Sequence, residues 1–345
     1  MRTYDIINAG PNNRFCANGK IVSNSGAIVQ LQNLFRNSLP DLDKARELVK
    51  QGNYNALEVL YDSVPEVLAQ CVRTAFVPAE GMKFIVADFS AIEARVLAWL
   101  AGEQWVLDVF KNGGDIYCET ASRMFHCPVE KHGRNSELRQ EGKQATLSCG
   151  YGGSVGALRA MGALDAGMKE EELQPLVDAW RAANPHIVQL WYDVENAAKT
   201  VIAKKSVEET HGLKFTYRGG MMYVTLPSGR NLAYVKPRMG ENRFGGESIT
   251  YMGNDFARHW SRIETFGGKL VENAVQGISR DILCHAMTLL KDMRIAAHIH
   301  DELLIESPME TEVSEVCRKM ATVPPWAPGL VLRADGYECN FYKKE

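Results

Sequence analysis

Apolar residues recur along the chain at two spacings, one typical of helices and the other typical of strands. Residues 41–74 and about 103–200 carry apolar side chains every three to four positions, which predicts amphipathic helices. The first 40 residues are rich in Asn, Gly and Ser and are predicted to be irregular. Regular structure is therefore expected from about residue 41 onward.

The first predicted strand is short and ends in a carboxylate. The apolar run from Lys83 to Asp88 has the length and composition of a buried strand. Ser90 stands where it can cap a helix, and Gly102 stands where that helix should end. A strand that delivers an aspartate just before a helix is a common way to present a metal ligand, but it is also a common plain turn.

Later segments alternate between strand and helix patterns. Short alternating runs between residues 210 and 237 are separated by Arg218-Gly-Gly and Pro227-Ser-Gly-Arg, which predicts hairpin turns. The remaining elements are predicted as follows: helices at about 247–266 and 269–292, a hairpin in 294–306 that turns at His300-Asp301-Glu302, and a final strand in 330–342.

The composition excludes several classes of protein. The chain has 345 residues and a formal net charge of −3, and its 46% hydrophobic and 23% charged residues are ordinary for a soluble globular protein. No stretch approaches the roughly 18 apolar residues of a membrane span, and the first residues lack the apolar core of a signal peptide. Eight cysteines without a C-x-x-C pair argue against a disulfide scaffold and a structural zinc site, which favours a reduced, cytoplasmic protein.

One segment is locally basic although the whole chain is not. Between residues 199 and 243, nine Lys and Arg residues stand against three Glu residues. Such an excess is compatible with a solvated surface and also with nucleic-acid binding, which needs only a local positive field.

Three elements carry residues that could form one site. Asp88 ends a predicted strand and Asp301 lies at a predicted hairpin turn, while Arg139 and Lys143 are four residues apart on a predicted helix. Leu147 and Tyr151 would continue the same stripe of that helix. Each feature alone is compatible with a structural role. Together they match phosphoryl transfer, in which carboxylates hold two Mg²⁺ ions and cations neutralise a triphosphate.

These residues also resemble the motifs of a known family. Asp88-Phe-Ser-Ala-Ile-Glu-Ala-Arg95 resembles motif A of the family A (DNA polymerase I-like) DNA polymerases, usually D-Y-S-Q-I-E-x-R. Arg139-x-x-x-Lys143-x-x-x-Leu147-x-x-x-Tyr151-Gly152 resembles motif B, and His300-Asp301-Glu302 resembles motif C. Gln30-Leu-Gln-Asn33 is similar to the upstream template-primer motif. The resemblance covers about residues 14 to 345 and is greatest to the phage and prophage branch, on the wording AWLAGE, LPSGR and Gln276-Gly277.

The resemblance implies a role for each matched residue. Asp88 and Asp301 would hold two Mg²⁺ ions, for which Mn²⁺ can substitute, with the Phe89 carbonyl as a further ligand and Glu302 as the third acid. The residues implied in nucleotide binding are Arg139 and Lys143 on the triphosphate, Tyr151 on the base, Glu93 as the gate against a ribose 2′-hydroxyl, and Leu147. The residues implied in DNA binding are His300, Gln276, Lys20, Gln32, Asn33 and Arg95.

Several positions depart from the family pattern. Leu147 replaces an aromatic residue that is often found in motif B, which puts the sugar discrimination of that position in doubt. Ala91 replaces the usual Gln of motif A, Tyr117 stands where many relatives have a His that touches the triphosphate, and Lys20 stands where an Arg is common. Lys20 can contact a phosphate only as a point charge.

The resemblance implies an α+β fold. An antiparallel-sheet palm with backing helices would come from residues 1–102 and 245–345, with inserted, mostly helical fingers at 103–244. Only about thirty residues precede the Gln30-Leu-Gln-Asn33 motif, where relatives have a thumb and usually a 3′–5′ exonuclease. We therefore expect no proofreading by this chain and a weak grip on duplex DNA, and a separate chain could supply the thumb or exonuclease.

The implied function is a template-directed DNA polymerase that uses primer-template DNA and deoxynucleoside triphosphates, with no membrane partner. If it is phage-encoded, it would act in the cytoplasm of a bacterial host. The alternative is a non-catalytic nucleic-acid-binding subunit or the remnant of a split polymerase. A third hypothesis, a single-subunit RNA polymerase, shares the palm, but Glu93 argues against it because that side chain would crowd a ribose.

Overall fold

The computed structural model describes residues 14–17, 20–23, 34–165, 167–242, 245–255 and 259–344, with side chains from residue 34 onward. The chain divides into two compact units. Unit 1 comprises residues 1–90, 283–322 and 333–345, and unit 2 comprises residues 91–282 and 323–332. Within the described residues, no helix has both the length and the apolar character that crossing a membrane requires.

Unit 1 is built on a four-stranded antiparallel sheet in the order β10-β11-β3-β12. Its strands are β3 (Met82–Phe89), β10 (Arg294–Ile299), β11 (Glu302–Pro308) and β12 (Ala334–Cys339). The apolar run of β3 lies between β11 and β12, and its residues Phe84–Ala87 are at most 4% exposed. The predicted buried strand, the predicted hairpin and the predicted final strand are all confirmed.

Unit 1 also contains a further hairpin and several helices. The helices predicted for residues 41–74 are confirmed as α1 (Leu42–Lys50), α2 (Tyr54–Leu60) and α3 (Val64–Arg73), and α12 (Val313–Met320) packs against β3 and β12. The prediction that the first 40 residues are irregular was wrong in part, because β1 (Arg14–Ala17) pairs with β2 (Lys20–Ser23). The reason is that the backbone N–H and C=O groups of two antiparallel strands hydrogen-bond to each other, which does not require an apolar sequence pattern.

The helices of unit 2 follow the predicted helical region. They are α4 (Ile92–Ala101), α5 (Gln104–Lys111), α6 (Ile116–Phe125), α7 (Leu138–Cys149), α8 (Val155–Ala160), α9 (Glu170–Ala183) and α10 (Pro185–Lys204). Helix α4 ends at Gly102 in the left-handed conformation, as predicted. Its predicted cap was wrong: Ala91, with φ 51°, precedes the helix, and the Ser90 N–H donates to the Arg333 carbonyl.

The second part of unit 2 is a six-stranded antiparallel sheet in sequence order. Its strands are β4 (Val207–Thr210), β5 (Leu213–Arg218), β6 (Met221–Thr225), β7 (Asn231–Glu241), β8 (Glu247–Asn254) and β9 (Trp260–Thr265). The two predicted hairpin turns are confirmed. Gly219 and Gly220 both have positive φ, 58° and 78°, which the tight β5–β6 turn requires and which glycine adopts without strain.

The helix predicted at about 247–266 was wrong, since this segment forms β8 and β9. The open edge of the long strand β7 offers backbone hydrogen-bond partners, and Ile249, Tyr251 and Ile263 favour strands. Pairing with a neighbouring strand therefore outweighs the local helical spacing. The next predicted helix is confirmed as α11 (Gly267–Leu289), which contributes residues to both units. The α+β fold class is confirmed, while the palm and fingers boundaries at 102 and 244 stay a prediction.

Candidate active site

Asp88 has an acidic residue beside it in each neighbouring strand of the unit 1 sheet. It is the penultimate residue of β3, and its register partners are Glu302 in β11 and Asp335 in β12. Register partners in adjacent strands point to the same face of a sheet. The antiparallel pairing thus brings together three carboxylates that are far apart in sequence.

Asp301 lies in the turn that joins β10 to β11, directly before Glu302. Its carbonyl accepts a hydrogen bond from the Phe89 N–H at 3.3 Å, which ties the turn to the end of β3. His300 takes a left-handed conformation with φ 54° and is exposed. The tight turn therefore places Asp301 at the end of β3, where its charge acts on Asp88.

The electrostatic environment of Asp88 opposes its ionisation. Burial, followed by the negative charges of Asp301 and Glu302, raises the pKa of Asp88 from 3.8 to about 6, although Lys344 acts in the opposite direction. The carboxylates around Asp88 thus give the site an excess of negative charge. A cation that binds among them would relieve their mutual repulsion.

Glu302 is held on both of its carboxylate oxygens. It is 2% exposed; Oε1 accepts a hydrogen bond from the Tyr342 hydroxyl at 2.6 Å, and Oε2 lies 3.3 Å from the Lys344 ammonium. A buried carboxylate needs such partners to offset its desolvation. The third acid is consequently fixed by the C-terminal segment and is less free than Asp88 to turn toward a ligand.

The donor set fits a hard divalent cation. Carboxylate and carbonyl oxygens are the ligands that Mg²⁺ prefers, and Asp88, Asp301 and the Phe89 carbonyl supply them at the end of β3. Across the described part of the chain, no group of three or more His, Cys, Asp and Glu side chains is arranged as a metal cluster. The fit therefore rests on two carboxylates and their excess charge.

The raised pKa of Asp88 predicts a pH-dependent cost to stability. The folded state holds the Asp88 proton more tightly than the unfolded chain, so the free energy of unfolding should fall as pH rises from about 4 to about 6 and stay lowered above that. Because Asp88 is partly exposed, solvent screening reduces the effect, and we expect Asp88→Asn to raise the free energy of unfolding by about 1 kcal/mol at pH 8 without divalent ions.

Urea unfolding in EDTA at about pH 5, 6.5 and 8 measures this effect. The increase in the free energy of unfolding caused by Asp88→Asn should become larger across that series. Asp62→Asn, at an exposed position of the same unit, should not change the free energy of unfolding at any of these pH values. A gain that is constant with pH, or larger at pH 5, would show that Asp88 ionises normally in the folded protein.

Helix α7 presents the predicted cations on its exposed stripe. Arg139 and Lys143 are partly exposed and Leu147 is 48% exposed, whereas Gly142, Ala145 and Cys149 on other faces are buried. The prediction that Tyr151 continues this helix was wrong, because α7 ends at Cys149 and Tyr151 lies in the following turn.

Arg139 is held by an acid that sequence reasoning did not single out. Its Nε and Nη2 donate to Asp115 Oδ2 at 2.9 and 2.8 Å, and Asp115 Oδ1 caps helix α6 by accepting from the Tyr117 and Cys118 N–H groups. Partial burial acts to raise the pKa of Asp115, but the hydrogen bonds from Arg139 and from the Cys118 and Tyr117 N–H groups, with the Arg139 charge, together outweigh it and lower the pKa.

Helices α6 and α7 approach closely at Gly142. A Cβ at Gly142 would lie 2.3 Å from the Tyr117 carbonyl, so any other residue would force the two helices apart. The position of Arg139 beside Asp115 thus depends on a glycine one turn further along α7. The pattern Asp115-Ile-Tyr-Cys is a helix-start signal that could have identified Asp115 as a cap, but not as the partner of Arg139.

Tyr151 and Glu93 contact each other within unit 2. The Tyr151 hydroxyl donates to Glu93 Oε2 at 2.8 Å, and Glu93 is exposed in the first turn of α4. Burial, and then the Glu93 charge, raise the pKa of Tyr151 far above its usual range, so the hydroxyl stays protonated as a donor. The structure therefore brings together two predicted nucleotide-binding residues that are 58 positions apart.

The predicted DNA-binding residues are scattered. Gln276 is exposed on α11, and its amide donates to Glu272 at 3.4 Å. Arg95 is 4% exposed; it donates to the Val331 carbonyl and its guanidinium lies 4.1 Å from the centre of the Phe110 ring. Lys20 lies in β2 with its side chain undescribed, and Gln32 and Asn33 lie outside the described residues.

The fold is that of a polymerase domain. The chain superposes on a solved structure, the POL domain of Pol1 from M. smegmatis in complex with DNA primer-template and dNTP, with a TM-score of 0.54. The superposition covers 79% of this chain and 42% of that chain at 21% sequence identity. At this identity the comparison bears on the fold alone.

Sequence comparison finds similarity to one family of polymerases. Residues 63–218 match the model of DNA polymerase family A. Over 328 residues the chain is 51% identical to the DNA polymerase of Bacillus phage SP02, covering 93% of this chain and 50% of that protein. Over 249 residues it is 29% identical to the thermostable DNA polymerase I of Thermus aquaticus, covering 70% of this chain and 25% of that protein. The part of the chain from residue 63 to residue 218 is thus similar to DNA polymerase family A, and the chain spans half the length, or less, of these relatives.

Proposed function

We propose that the chain is a template-directed DNA polymerase that adds deoxynucleotides to the 3′-hydroxyl of a primer. The observation that carries the proposal is the pairing of Asp88 with Glu302 across β3 and β11, with Asp301 in the adjoining turn. The match of residues 63–218 to the family A model and the 51% identity to the DNA polymerase of Bacillus phage SP02 support the same assignment. The substrates would be primer-template DNA and deoxynucleoside triphosphates.

Two divalent ions, Mg²⁺ or in its place Mn²⁺, would supply charge neutralisation at the reacting phosphate when bound. Asp88, Asp301 and the Phe89 carbonyl would hold them. Glu302, whose oxygens are already occupied by Tyr342 and Lys344, would position its neighbours rather than bind an ion directly. The protein needs no nucleophile of its own, because the primer hydroxyl attacks the α-phosphorus.

The α7 cations would bind the triphosphate. Arg139 and Lys143 lie on one partly exposed stripe, and Asp115 fixes the orientation of the Arg139 guanidinium. Tyr151, in the turn after α7, would stack on the templating base, and Leu147 on the α7 stripe would lie on the nucleotide side. His300 and Gln276, which are both exposed, would contact the primer terminus and the minor groove. Because one relative is encoded by a phage, we place this activity in the cytoplasm of a bacterial host.

Primer extension on a primed DNA template tests the proposed function. The purified chain is incubated with the four deoxynucleotides and Mg²⁺, alone and with an extract of its source that would contain any separate completing chain. Extension that depends on Mg²⁺ supports the proposal. DNA binding without extension in either condition would support the non-catalytic alternative.

A primer with a mismatched 3′ end, used in the same reactions, tests the expected lack of proofreading. Removal of the mismatched end by the chain alone would contradict that expectation.

The Glu93 side chain predicts sugar selection. We expect Glu93→Ala to raise the ratio of ribonucleotide to deoxynucleotide incorporation by roughly 10- to 100-fold, because the smaller side chain would leave room for a 2′-hydroxyl. Single-nucleotide incorporation with matched ribo- and deoxynucleotides measures the ratio. Tyr151→Phe tests whether the position of Glu93 matters, because it removes only the hydroxyl that donates a hydrogen bond to Glu93. An unchanged ratio in Glu93→Ala would remove Glu93 from the gate role.

A further inference from the structure

The six-stranded sheet of unit 2 has one buried face and one solvent face. Leu213, Phe215, Met222 and Val224 are at most 2% exposed, and strands β4–β7 pack against α10. The alternate residues of these strands point the other way and are partly or fully exposed. Four of the six strands, β6–β9, lie beyond residue 218, where the match to the family model ends. None of motifs A, B and C lies in these strands, so the catalytic motifs do not account for this face.

A single row of register partners crosses five strands on the solvent face. Arg218, Met221, Val235, Met252 and Arg262 are successive cross-strand partners from β5 to β9. We call these five residues the sheet row. At about 4.8 Å between strands, the sheet row spans roughly 19 Å. It has a cation at each end and apolar side chains between them.

A bulge in β7 adds two more cations beside the sheet row. The register between β7 and β8 shifts between Val235 and Arg238, and Lys236 within the bulge has φ 46°. A left-handed lysine before a proline is strained, and bulges commonly redirect side chains toward a ligand. Arg262 holds the bulge by donating to the Lys236 carbonyl at 3.2 Å and to the Thr250 hydroxyl at 3.1 Å.

The cations on this face, Arg218, Lys236, Arg238 and Arg262, form a cluster. Among the described residues, none of Arg218, Lys236, Arg238 and Arg262 forms an ion pair with a carboxylate. Two acids belong to the same face: Glu209, which pairs with Lys214, and the exposed Glu264. Cations brought together by a bulge repel one another unless an anion binds between them. The cluster is thus complementary to a ligand that carries several negative charges in a line.

An aromatic side chain lies in the adjacent row. Tyr223 is partly exposed, and the Arg218 guanidinium lies 5.2 Å from the centre of its ring. Cations at the ends of the sheet row and in the bulge, with an aromatic ring and apolar side chains among them, are a combination that binds single-stranded nucleic acid. The phosphates pair with the cations, and the bases stack on the ring. Duplex DNA would present its backbone to such a sheet but not its bases.

We propose that the solvent face of the six-stranded sheet binds single-stranded nucleic acid, with Arg218, Lys236 and Arg238 on the phosphates and Tyr223 stacked on a base. This site goes beyond the proposed function, because it uses no residue of the candidate active site. Binding can therefore be measured without nucleotides or divalent ions, and its failure would leave polymerase activity untouched.

Fluorescence anisotropy of a labelled oligothymidylate with the full chain in EDTA tests the proposal. The face variant combines Arg218→Gln, Lys236→Gln and Arg238→Gln. Each phosphate contact to a single strand contributes about 0.7 to the slope of log K against log salt concentration, so losing three contacts should make that slope shallower by about 2. We also expect binding at least about tenfold weaker at roughly 50 mM salt.

The matched control combines Lys44→Gln, Lys111→Gln and Lys291→Gln, which removes the same charge from exposed positions elsewhere. We expect its affinity to change by less than about twofold, and both triple variants to melt within about 2 °C of the parent. Equal losses of binding in the two triple variants, or no loss in the face variant, would overturn the proposal.

A second comparison separates single strands from duplex. Tyr223→Ala should weaken oligothymidylate binding about fivefold, and Tyr223→Phe should not, because the phenyl ring keeps the stacking surface. If Tyr223→Ala has no effect and the face variant loses duplex affinity as much as single-strand affinity, the assignment to single strands is wrong.

Discussion

We expect Asp88→Asn and Asp301→Asn each to slow primer extension by at least about 10³-fold. Asparagine keeps the size of the side chain but lacks the charge that holds a divalent ion. A 10³-fold slower rate corresponds to a transition state that is destabilised by about 4 kcal/mol. The two acids lie where the β10–β11 turn is bonded to the end of β3, so neither can replace the other. Initial rates of single-nucleotide addition under saturating DNA measure the effect.

Asp335→Asn is the control for Asp88→Asn. Asp335 is also a register partner of Asp88, but it lies outside the three motifs and its carboxylate pairs with Arg333 at 2.9 Å. We expect it to keep activity within about threefold of the parent. Primer-template affinity in EDTA should be retained in all three variants. Full activity in Asp88→Asn, or an equal loss in Asp335→Asn, would contradict the assignment of the acids.

The second large effect is expected at the α7 cations. Arg139→Ala should lower kcat/KM for the incoming nucleotide by roughly 10²- to 10³-fold, because it removes a charge-assisted donor to the triphosphate. Arg139→Lys keeps the charge but loses the two-bond contact with Asp115, so we expect an intermediate loss of about tenfold. Steady-state kinetics with varied nucleotide concentration separates kcat from KM.

Arg123→Ala provides the matched control for Arg139→Ala. Arg123 lies on the neighbouring helix α6, pairs with Glu119 at 3.2 Å and stacks on Trp105. It should change kcat/KM by less than about threefold. If Arg139→Ala affects DNA affinity but leaves the nucleotide KM and kcat unchanged, Arg139 binds DNA and not the triphosphate.

Local patterns predicted much of the fold. The apolar run of β3 has no alternation because both neighbouring strands and the packed faces bury it, and such a run is readable in sequence. The turns at Gly219-Gly220 and at His300-Asp301 were also predictable, since their polar or glycine residues interrupt strand patterns on both sides. These are features in which neighbouring residues decide the conformation.

The predictions that failed concern choices made by distant residues. The segment that forms β8 and β9 has spacing compatible with a helix, but the edge of β7 supplies a pairing partner that no local pattern contains. Tyr151 follows the i, i+4 spacing of the α7 stripe, yet the helix ends before it at Gly150. Spacing alone therefore gives the direction of a side chain only while the helix continues.

The sequence by itself determined the chemistry available to this protein: two aspartates that end strand patterns, two cations one turn apart, and a motif order that resembles family A. Only the tertiary structure decided which groups meet. Strand register set Glu302 and Asp335 beside Asp88, the C-terminal segment brought Tyr342 to Glu302 across 40 positions, and a helix cap became the partner of Arg139. The physical reason is that burial and charge coupling depend on distances between chain segments, which are fixed by packing and pairing rather than by order along the chain.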